Sequence, residues 1–264
     1  MTLFARCFLL VFCQLGVGGL LSLAVPPFHD LERGFFKSSG GVFLTASLVG
    51  GLGTIYLRLT REASGVGPIE ALLWLLHCAL FAAYLATLWG DETQTRARLF
   101  AAALLSGVAA LTASAWSLAL VQGPWIVFLS IANTLVGAAA LGAVTTGMLI
   151  GHWYLIDTSM EIEPFRRCFR WFVWTLAAEL VCIGALALHL AISPPAGLEE
   201  QALLLALRVV LGPLAALGIA FMIYRVLLIP QTMAATGLFY IATLAVLVGE
   251  FLGRYFTFRT GLPL

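Results

Sequence analysis

The chain has 264 residues and a formal net charge of +1; 61% of its residues are hydrophobic and only 10% are charged. Its mean hydropathy is +1.02. A soluble domain is about 45–50% apolar and about 25% charged, so this composition leaves too few polar groups for a water-exposed surface. The small net charge gives no electrostatic support for nucleic-acid binding. We therefore predict an all-α, polytopic integral membrane protein embedded in a lipid bilayer.

Apolar runs of about 20 residues predict a bundle of about eight transmembrane helices that uses nearly the whole chain. Proline, glycine and charged residues separate the runs, as at Pro26-Pro27 and Gly123-Pro124. Since only short loops remain, residues 1–264 are predicted to form a single transmembrane domain. The predicted spans are Leu3–Val25, Gly41–Leu57, Ile69–Trp89, Leu99–Val121, Trp125–Gly151, Phe169–Ile192, Ala202–Ile229 and Met233–Phe256.

The distribution of basic residues predicts the orientation. Because eight is an even number of spans, both termini lie on the same side of the membrane. The loops on that side carry fewer Lys and Arg residues than those on the other side. Because cytoplasmic loops carry the excess of these residues, the termini are predicted to face the periplasm, across a bacterial cytoplasmic (inner) membrane. The basic residues are Arg6, Arg58, Arg61, Arg254 and Arg259 on the terminal side, against Arg33, Lys37, Arg96, Arg98, Arg166, Arg167, Arg170 and Arg225.

Ionisable side chains inside the spans are the candidates for function, because each costs a few kcal/mol or more near the bilayer centre unless it is paired or hydrated. Glu179 lies near the middle and has no partner that the sequence identifies. The i,i+4 spacing of Glu250 and Arg254 predicts an ion pair. The ionisable residues expected in the membrane half nearest the termini are Glu70, His77, His189, Arg208, Glu250 and Arg254.

One face of the third span combines polar and aromatic residues. Glu70, Trp74, His77 and Phe81 follow each other at spacings of four, three and four residues, so they share that face. A quinone needs an apolar slot, donors to its carbonyls, and a carboxylate or histidine that exchanges the protons coupled to its electrons. The alternative for these polar residues is a structural one, in which they brace helices or reach the membrane surface.

A haem b is the alternative cofactor, since two histidines on facing helices can ligate one. His29 lies in a loop and His152 at the inner end of the fifth span, which leaves His77 and His189. Their depths differ by about 6 Å at 1.5 Å per residue. This difference in depth favours a quinone over a haem as the cofactor. We predict that no cofactor is covalently bound. The cysteines are scattered without a C-x-x-C pair, so no metal site is predicted, and they are interpreted as small buried hydrophobic residues.

Two glycine pairs and one aromatic segment predict how the helices pack and where one of them meets the membrane surface. Gly147 with Gly151 and Gly249 with Gly253 form small-xxx-small faces, which predict close packing between helices. The aromatic residues of the segment Gly151-His-Trp-Tyr154 are typical of an interfacial belt.

Two segments carry a resemblance to a known family. Val248-Gly-Glu-Phe-Leu-Gly-Arg254, followed by Tyr255 and Phe256, resembles the closing helix of DMSO-reductase-type (polysulfide-reductase-like) membrane anchor subunits. That helix shows Gly-Glu-[Leu/Ile]-[Leu/Ile]-Gly-Arg followed by an aromatic pair. Gln14-Leu-Gly-Val-Gly-Gly19 is similar to the Gln-x-x-x-Gly-Gly pattern of the family's first helix. Arg208 matches an arginine near the start of its seventh helix.

The resemblance implies a subunit of an electron-transfer oxidoreductase, not an enzyme on its own. Such a subunit anchors an iron–sulfur subunit and a catalytic molybdenum subunit, and exchanges electrons between the iron–sulfur partner and menaquinone or ubiquinone. Glu70 stands about where the family has an acidic residue at the start of helix three. We predict proton exchange by Glu70, His77 and Glu250. The predicted quinone-binding residues are Tyr56, Trp74, His189, Arg208 and Arg254.

The sequence departs from the family pattern in the second helix. The family often has a histidine at the outer end of that helix, where this chain reads Thr54-Ile-Tyr-Leu-Arg58. Either Tyr56 or His77 replaces that histidine, or the subunit has lost the quinone reaction. The alternatives are therefore a non-catalytic structural or assembly subunit, a haem b cytochrome subunit, and a small-solute transporter.

Overall fold

The computed structural model describes residues 2–60, 67–119, 123–157, 160–193, 198–229 and 231–263. This part of the chain is helical and contains no strand, as predicted. The basic residue Arg61 lies outside it. The helices are α1 Thr2–Ser22, α2 Arg33–Leu59, α3 Pro68–Ala86, α4 Thr93–Ala119, α5 Pro124–Ile156, α6 Glu163–Ile192, α7 Leu198–Val209, α8 Ala215–Leu227 and α9 Thr232–Thr260.

Eight stretches among the described residues are long and apolar enough to cross a membrane, which confirms the predicted number. Several helices extend beyond the predicted spans. Helix α2 begins at Arg33 instead of Gly41, and α6 begins at Glu163 instead of Phe169. Charged residues such as Arg33 are good helix formers, so a helix continues where its hydropathy falls. Hydropathy therefore predicts the lipid-buried part of a helix and not its ends.

The seventh span is not one regular helix. A π-helical turn, Val210–Leu214, joins α7 to α8 and contains Pro213. Proline has no N–H to donate and its ring clashes with the preceding turn, so a local change of helical pitch accommodates it. Gly212 in this turn packs on Gly249 of α9, where an added Cβ would lie 2.5 Å from the Gly212 Cα atom. The predicted close packing at Gly249 is therefore confirmed.

Helix α5 lies at the centre of the bundle and packs against α1, α6 and α9. Its small residues allow this packing. A Cβ on Gly142 would overlap the backbone of Gly18 in α1, while Gly147 and Gly151 face Phe239 and Thr236 of α9. The prediction that Gly147 and Gly151 form a packing face is confirmed.

The start of α1 and the end of α9 lie at the same end of the bundle, which we call the terminal end. The Arg6 guanidinium lies 5.3 Å from the centroid of the Phe258 ring. At the opposite end, Arg33 at the start of α2 donates a hydrogen bond of 2.8 Å to Asp91, just before α4. This arrangement agrees with the predicted common side of the two termini.

The aromatic residues at the end of α5 differ from the predicted interfacial belt. Tyr154 is buried, donates a hydrogen bond to the Glu161 carbonyl, and stacks on the Phe165 ring at 5.4 Å. Trp153 packs edge-on against Phe35, with 6.2 Å between the ring centroids. Tyr154 therefore packs inside the bundle, whereas Trp153 is only partly buried.

Four of the cysteines are buried and one is partly buried, as their interpretation as small hydrophobic residues predicts. The buried ones are Cys7, Cys13, Cys78 and Cys168, and the partly buried one is Cys182.

Candidate functional site

The predicted polar face of α3 points into the bundle. Glu70, Trp74, His77 and Phe81 are all buried, which confirms that they share an inward face. The His77 ring lies 5.8 Å from the Trp74 ring and 5.8 Å from the Phe81 ring. The face is therefore a continuous row of one carboxylate and three rings along α3, with neighbouring rings edge-on or tilted to each other.

Glu70 is held by a serine of α4. The Ser114 hydroxyl donates a hydrogen bond to Glu70 Oε1 and accepts one of 3.4 Å from the Trp74 indole N–H. Because the indole can only donate, it orients the serine proton toward the carboxylate. Glu70 also lies in the first turn of α3, where the partial positive charge of the helix N-terminus stabilises a carboxylate. Trp74 and Ser114 thus fix the position of the acid.

The protein encloses His77 more completely than Glu70. Its Nδ1 atom lies 2.8 Å from the Ala103 carbonyl oxygen, and its Nε2 atom lies 3.0 Å from the Ser47 hydroxyl. A carbonyl only accepts, so Nδ1 carries the proton and Nε2 accepts from Ser47 in the neutral ring. Gly107 of α4 makes room for the ring, since a Cβ there would lie 2.7 Å from Nδ1. This geometry favours the structural interpretation of His77, and both ring nitrogens are already engaged.

A small cavity borders Glu70 at the terminal end of the bundle. Its volume is about 50 Å³, which is space for a few water molecules. Arg6, Glu70 and Ser114 supply most of its polar wall, and leucines with Phe258 supply the apolar wall. Five helices contribute, namely α1, α2, α3, α4 and α9. The lining residues are Arg6, Leu9, Leu10, Cys13, Thr54, Leu57, Glu70, Ser114, Ser117, Leu118 and Phe258.

The other predicted ionisable residues form a separate network around Arg208. Its Nη2 atom lies 2.6 Å from Glu179 Oε1 and 2.7 Å from Glu250 Oε1. Arg254 Nη2 lies 3.4 Å from Glu250 Oε2, which confirms the predicted i,i+4 ion pair. All four side chains are at most 2% exposed. Arg208 is thus the partner of Glu179 that the sequence did not identify.

Helices α1 and α5 complete this network, which we call the Glu250 network. Gln14 Nε2 donates to Glu250 Oε2 at 2.8 Å and to the Thr134 carbonyl at 3.1 Å. Arg254 Nη1 donates to Thr134 Oγ1 at 2.9 Å. A Cβ on Gly137 would overlap the Glu250 carboxylate, so this glycine provides its space. Two carboxylates and two guanidinium groups balance in charge, which offsets the cost of burying them.

The structure separates the predicted site residues into three groups. Glu70 lines the cavity and Trp74 orients its partner, with His77 on the inner side of Trp74. Glu250, Arg208 and Arg254 belong to the Glu250 network and do not line the cavity. Tyr56 is 63% exposed, and His189 is half-buried near the end of α6; neither lines the cavity.

Glu70 is the cavity-wall residue that the sequence predicts as part of the site; Arg6, Ser114 and Phe258 are among those that sequence reasoning missed. Ser114 is one of several small polar residues in apolar helices of this chain. Only its position opposite Glu70, which the fold determines, distinguishes it from the others. Arg6 and Phe258 lie at the two ends of the chain, and only the fold brings them together.

Comparison with known proteins finds no match among protein-family models, curated proteins or solved structures.

Proposed function

We propose that this protein is a quinone-interacting membrane anchor subunit of a multi-subunit oxidoreductase, with the quinone held beside Glu70. The observation that carries the proposal is the cavity at the terminal end. There a buried carboxylate, oriented by Ser114, lies in a wall that five helices build from polar and apolar residues in similar measure. The motifs in α1, α7 and α9 that resemble the anchor family support the same assignment.

Glu70 has the chemistry that quinol oxidation requires. Oxidation of a quinol to a quinone releases both hydroxyl protons together with an electron pair. In the proposed reaction Glu70 accepts the two quinol protons one after the other and passes each to water at the terminal end, while the two electrons pass to an iron–sulfur partner. A positioned carboxylate accelerates such a proton transfer by about 100-fold or more. In the direction of quinone reduction, the same carboxylate delivers the proton.

The size of the cavity determines how a quinone would bind. Ligand pockets that enclose a whole molecule have volumes of about 300–1,000 Å³. A cavity of about 50 Å³ admits only one carbonyl edge of the ring. The rest of the ring and the isoprenoid tail then lie against Leu9, Leu57 and Leu118 and extend into the lipid. This arrangement puts the carbonyl oxygen next to Glu70 and Ser114.

The remaining polar residues have supporting roles in this proposal. The Glu250 network joins α1, α5, α6, α7 and α9, so it fixes α1 and α9, two of the five helices that line the cavity. His77 packs behind Trp74 and helps to position it, as a structural residue. The partners are an iron–sulfur subunit and a catalytic oxidoreductase subunit, docked at the terminal end. The cellular site is the bacterial inner membrane, with the terminal end toward the periplasm.

The direct test is the variant Glu70→Gln in the native complex. Glutamine preserves size but cannot accept the quinol proton, so quinol-driven turnover should fall by about 100-fold. Glu92→Gln is the matched control, because Glu92 is exposed at the opposite end of the bundle. Turnover is normalised to the amount of assembled complex, measured by co-purification of the partner subunits.

A second pair of variants tests the cavity without changing charge. Leu118→Trp fills the cavity from α4, whereas Leu105→Trp adds the same group to an exposed position of the same helix. Only Leu118→Trp should raise the quinol KM. Wild-type turnover in both Glu70→Gln and Leu118→Trp would contradict the proposed quinone site.

A non-catalytic assembly subunit is the second candidate function. It is favoured by Tyr56, which lies near the position of the missing helix-two histidine and is 63% exposed, so it does not replace that histidine at the cavity. In this case Ser114 and Glu70 only brace α3 against α4. Glu70→Gln would then reduce the amount of assembled complex and leave the turnover of each complex unchanged.

A further inference from the structure

A second cavity lies at the opposite end of the bundle, away from Glu70. Its volume is about 390 Å³, much larger than that of the first cavity. It is formed by the segment after α1, the start of α2, the end of α3 and the start of α4. Its walls are mainly apolar, with rings from Phe36, Tyr84 and Phe100 and with Leu23 beside them. An apolar wall of this kind accommodates hydrocarbon.

One cation, Arg96, lies in the wall of this cavity. The residue is 7% exposed, and its Nη2 atom donates to the carbonyls of Gly90 at 2.7 Å and Thr87 at 3.1 Å. Its guanidinium lies 5.0 Å from the centroid of the Phe28 ring. Carbonyls and an aromatic face fix the orientation of the guanidinium, but neither supplies a negative charge.

No carboxylate in the described part of the chain pairs with Arg96. The nearby Asp91 is 2.8 Å from Arg33, with which it forms an exposed ion pair. The Arg96 Nε atom is buried and has no hydrogen-bond partner among the described protein atoms. A nearly buried cation with an unused donor at an apolar cavity is suited to an anionic group.

Three further cations lie at this end of the bundle, together with the acidic residues Asp30, Glu32, Asp91 and Glu92. The Lys37 ammonium lies 4.6 Å from the centroid of the Trp89 ring, and Arg33 and Arg98 belong to the same end of the bundle. Phe28 and Ala97 line the cavity and are exposed, so it opens to the outside of the bundle. Basic pockets between transmembrane helices attract the headgroups of anionic lipids.

We propose that this cavity binds one anionic phospholipid. The phosphate would accept hydrogen bonds from Arg96, and an acyl chain would lie along Phe36 and Phe100. The apolar walls distinguish this site from one for a free phosphate ion, which would leave most of the cavity unfilled. A zwitterionic lipid offers the same phosphate, but the positive ammonium of its headgroup would lie near the Arg96 guanidinium, which favours an anionic lipid. This inference is independent of the proposed quinone site.

The test is a lipid titration of the delipidated full-length protein in mild detergent, followed by native mass spectrometry. The probes are phosphatidylglycerol and phosphatidylcholine with identical acyl chains. Because phosphatidylglycerol lacks the choline ammonium that Arg96 would repel, it is expected to bind about tenfold tighter. Arg96→Gln should abolish this preference, whereas Arg98→Gln, an exposed neighbour on the same helix, should retain it.

A second variant keeps the test decisive if Arg96→Gln lowers protein stability by losing its bonds to Gly90 and Thr87. Ala97→Phe fills the mouth of the cavity and leaves Arg96 in place, so it should reduce phosphatidylglycerol binding. Equal binding of the two lipids, or wild-type preference in both Arg96→Gln and Ala97→Phe, would overturn the proposal. So would displacement of the lipid by inorganic phosphate, or co-purification of a quinone instead of a phospholipid at this cavity.

Discussion

Arg208 holds two carboxylates at once, with its Nη2 atom 2.6 Å from Glu179 and 2.7 Å from Glu250. These residues belong to α7, α6 and α9, so a single guanidinium joins three helices in the interior. Arg208 also lies two residues before the π-helical turn, and a Cβ on Gly212 would lie 2.6 Å from its Nη1 atom. The irregular turn and the buried ion pairs are therefore parts of one arrangement.

Removing Arg208 should destabilise the protein strongly. Arg208→Met leaves Glu179 and one oxygen of Glu250 buried without their counter-charge, which costs about 3–5 kcal/mol for a broken buried pair. The measurement is the free energy of unfolding in mixed detergent. Arg225→Met, at an exposed position of α8, is the control and should stay within about 0.5 kcal/mol of wild type. Equal stability of the two variants would show that the network does not stabilise the bundle.

Gly137 should tolerate no side chain. Its added Cβ would overlap the Glu250 carboxylate, so Gly137→Ala should displace Glu250 and cost about 1–3 kcal/mol. Gly184 provides the matched control, because a Cβ there meets nothing within 4 Å. Gly184→Ala should leave stability unchanged or raise it slightly, since alanine is the better helix former. Thermal unfolding of the two variants gives the comparison, and a stable Gly137→Ala protein would contradict the placement of Glu250.

His77 should affect stability more than turnover. His77→Ala leaves the Ser47 hydroxyl without its buried partner, which costs about 1–3 kcal/mol, whereas the Ala103 carbonyl still accepts from the Ser106 hydroxyl at 2.9 Å. His152→Ala, at an exposed position of α5, serves as the control. Since His77 does not line the cavity, quinol turnover of each assembled complex should remain near wild type. Loss of turnover without loss of stability would restore His77 as a proton-exchanging residue.

The orientation of the bundle can be tested with single introduced cysteines. Thr60 follows α2 at the terminal end and Thr95 lies early in α4 at the opposite end, and both are exposed. Four of the native cysteines are buried, which limits background labelling. A membrane-impermeant maleimide should label Thr60→Cys in intact cells and Thr95→Cys only after permeabilisation. The reverse pattern would overturn the predicted periplasmic location of the termini.

The sequence alone predicts the helical bundle well, because the bilayer imposes long apolar helices on any chain that crosses it. It also predicts the inward face of α3 and the Glu250–Arg254 pair, since both follow from helical spacing. The pairing of Glu179 with Arg208 does not follow from spacing. It depends on which helices are neighbours, and this is decided by close contacts such as that between Gly18 and Gly142.

The separation of Glu70 from the Glu250 network also escaped sequence reasoning. Glu70 and Glu250 were both placed in the membrane half near the termini, but depth does not determine the direction in which a side chain points. Ser114 turns Glu70 toward the cavity, whereas Gly137 and Gln14 accommodate Glu250 in a closed network. The irregular turn at Pro213 was missed because hydropathy does not change there.

Photoaffinity labelling of the native complex with an azidoquinone tests the proposed quinone site most directly. Mass-spectrometric mapping should place the label on the wall of the Glu70 cavity, in peptides of α1, α4 and α9 that contain Leu10, Leu118 and Phe258. The label should disappear in Leu118→Trp and persist in Leu105→Trp. Labelling confined to other helices, or equal labelling of both tryptophan variants, would contradict the assignment of the quinone to this cavity.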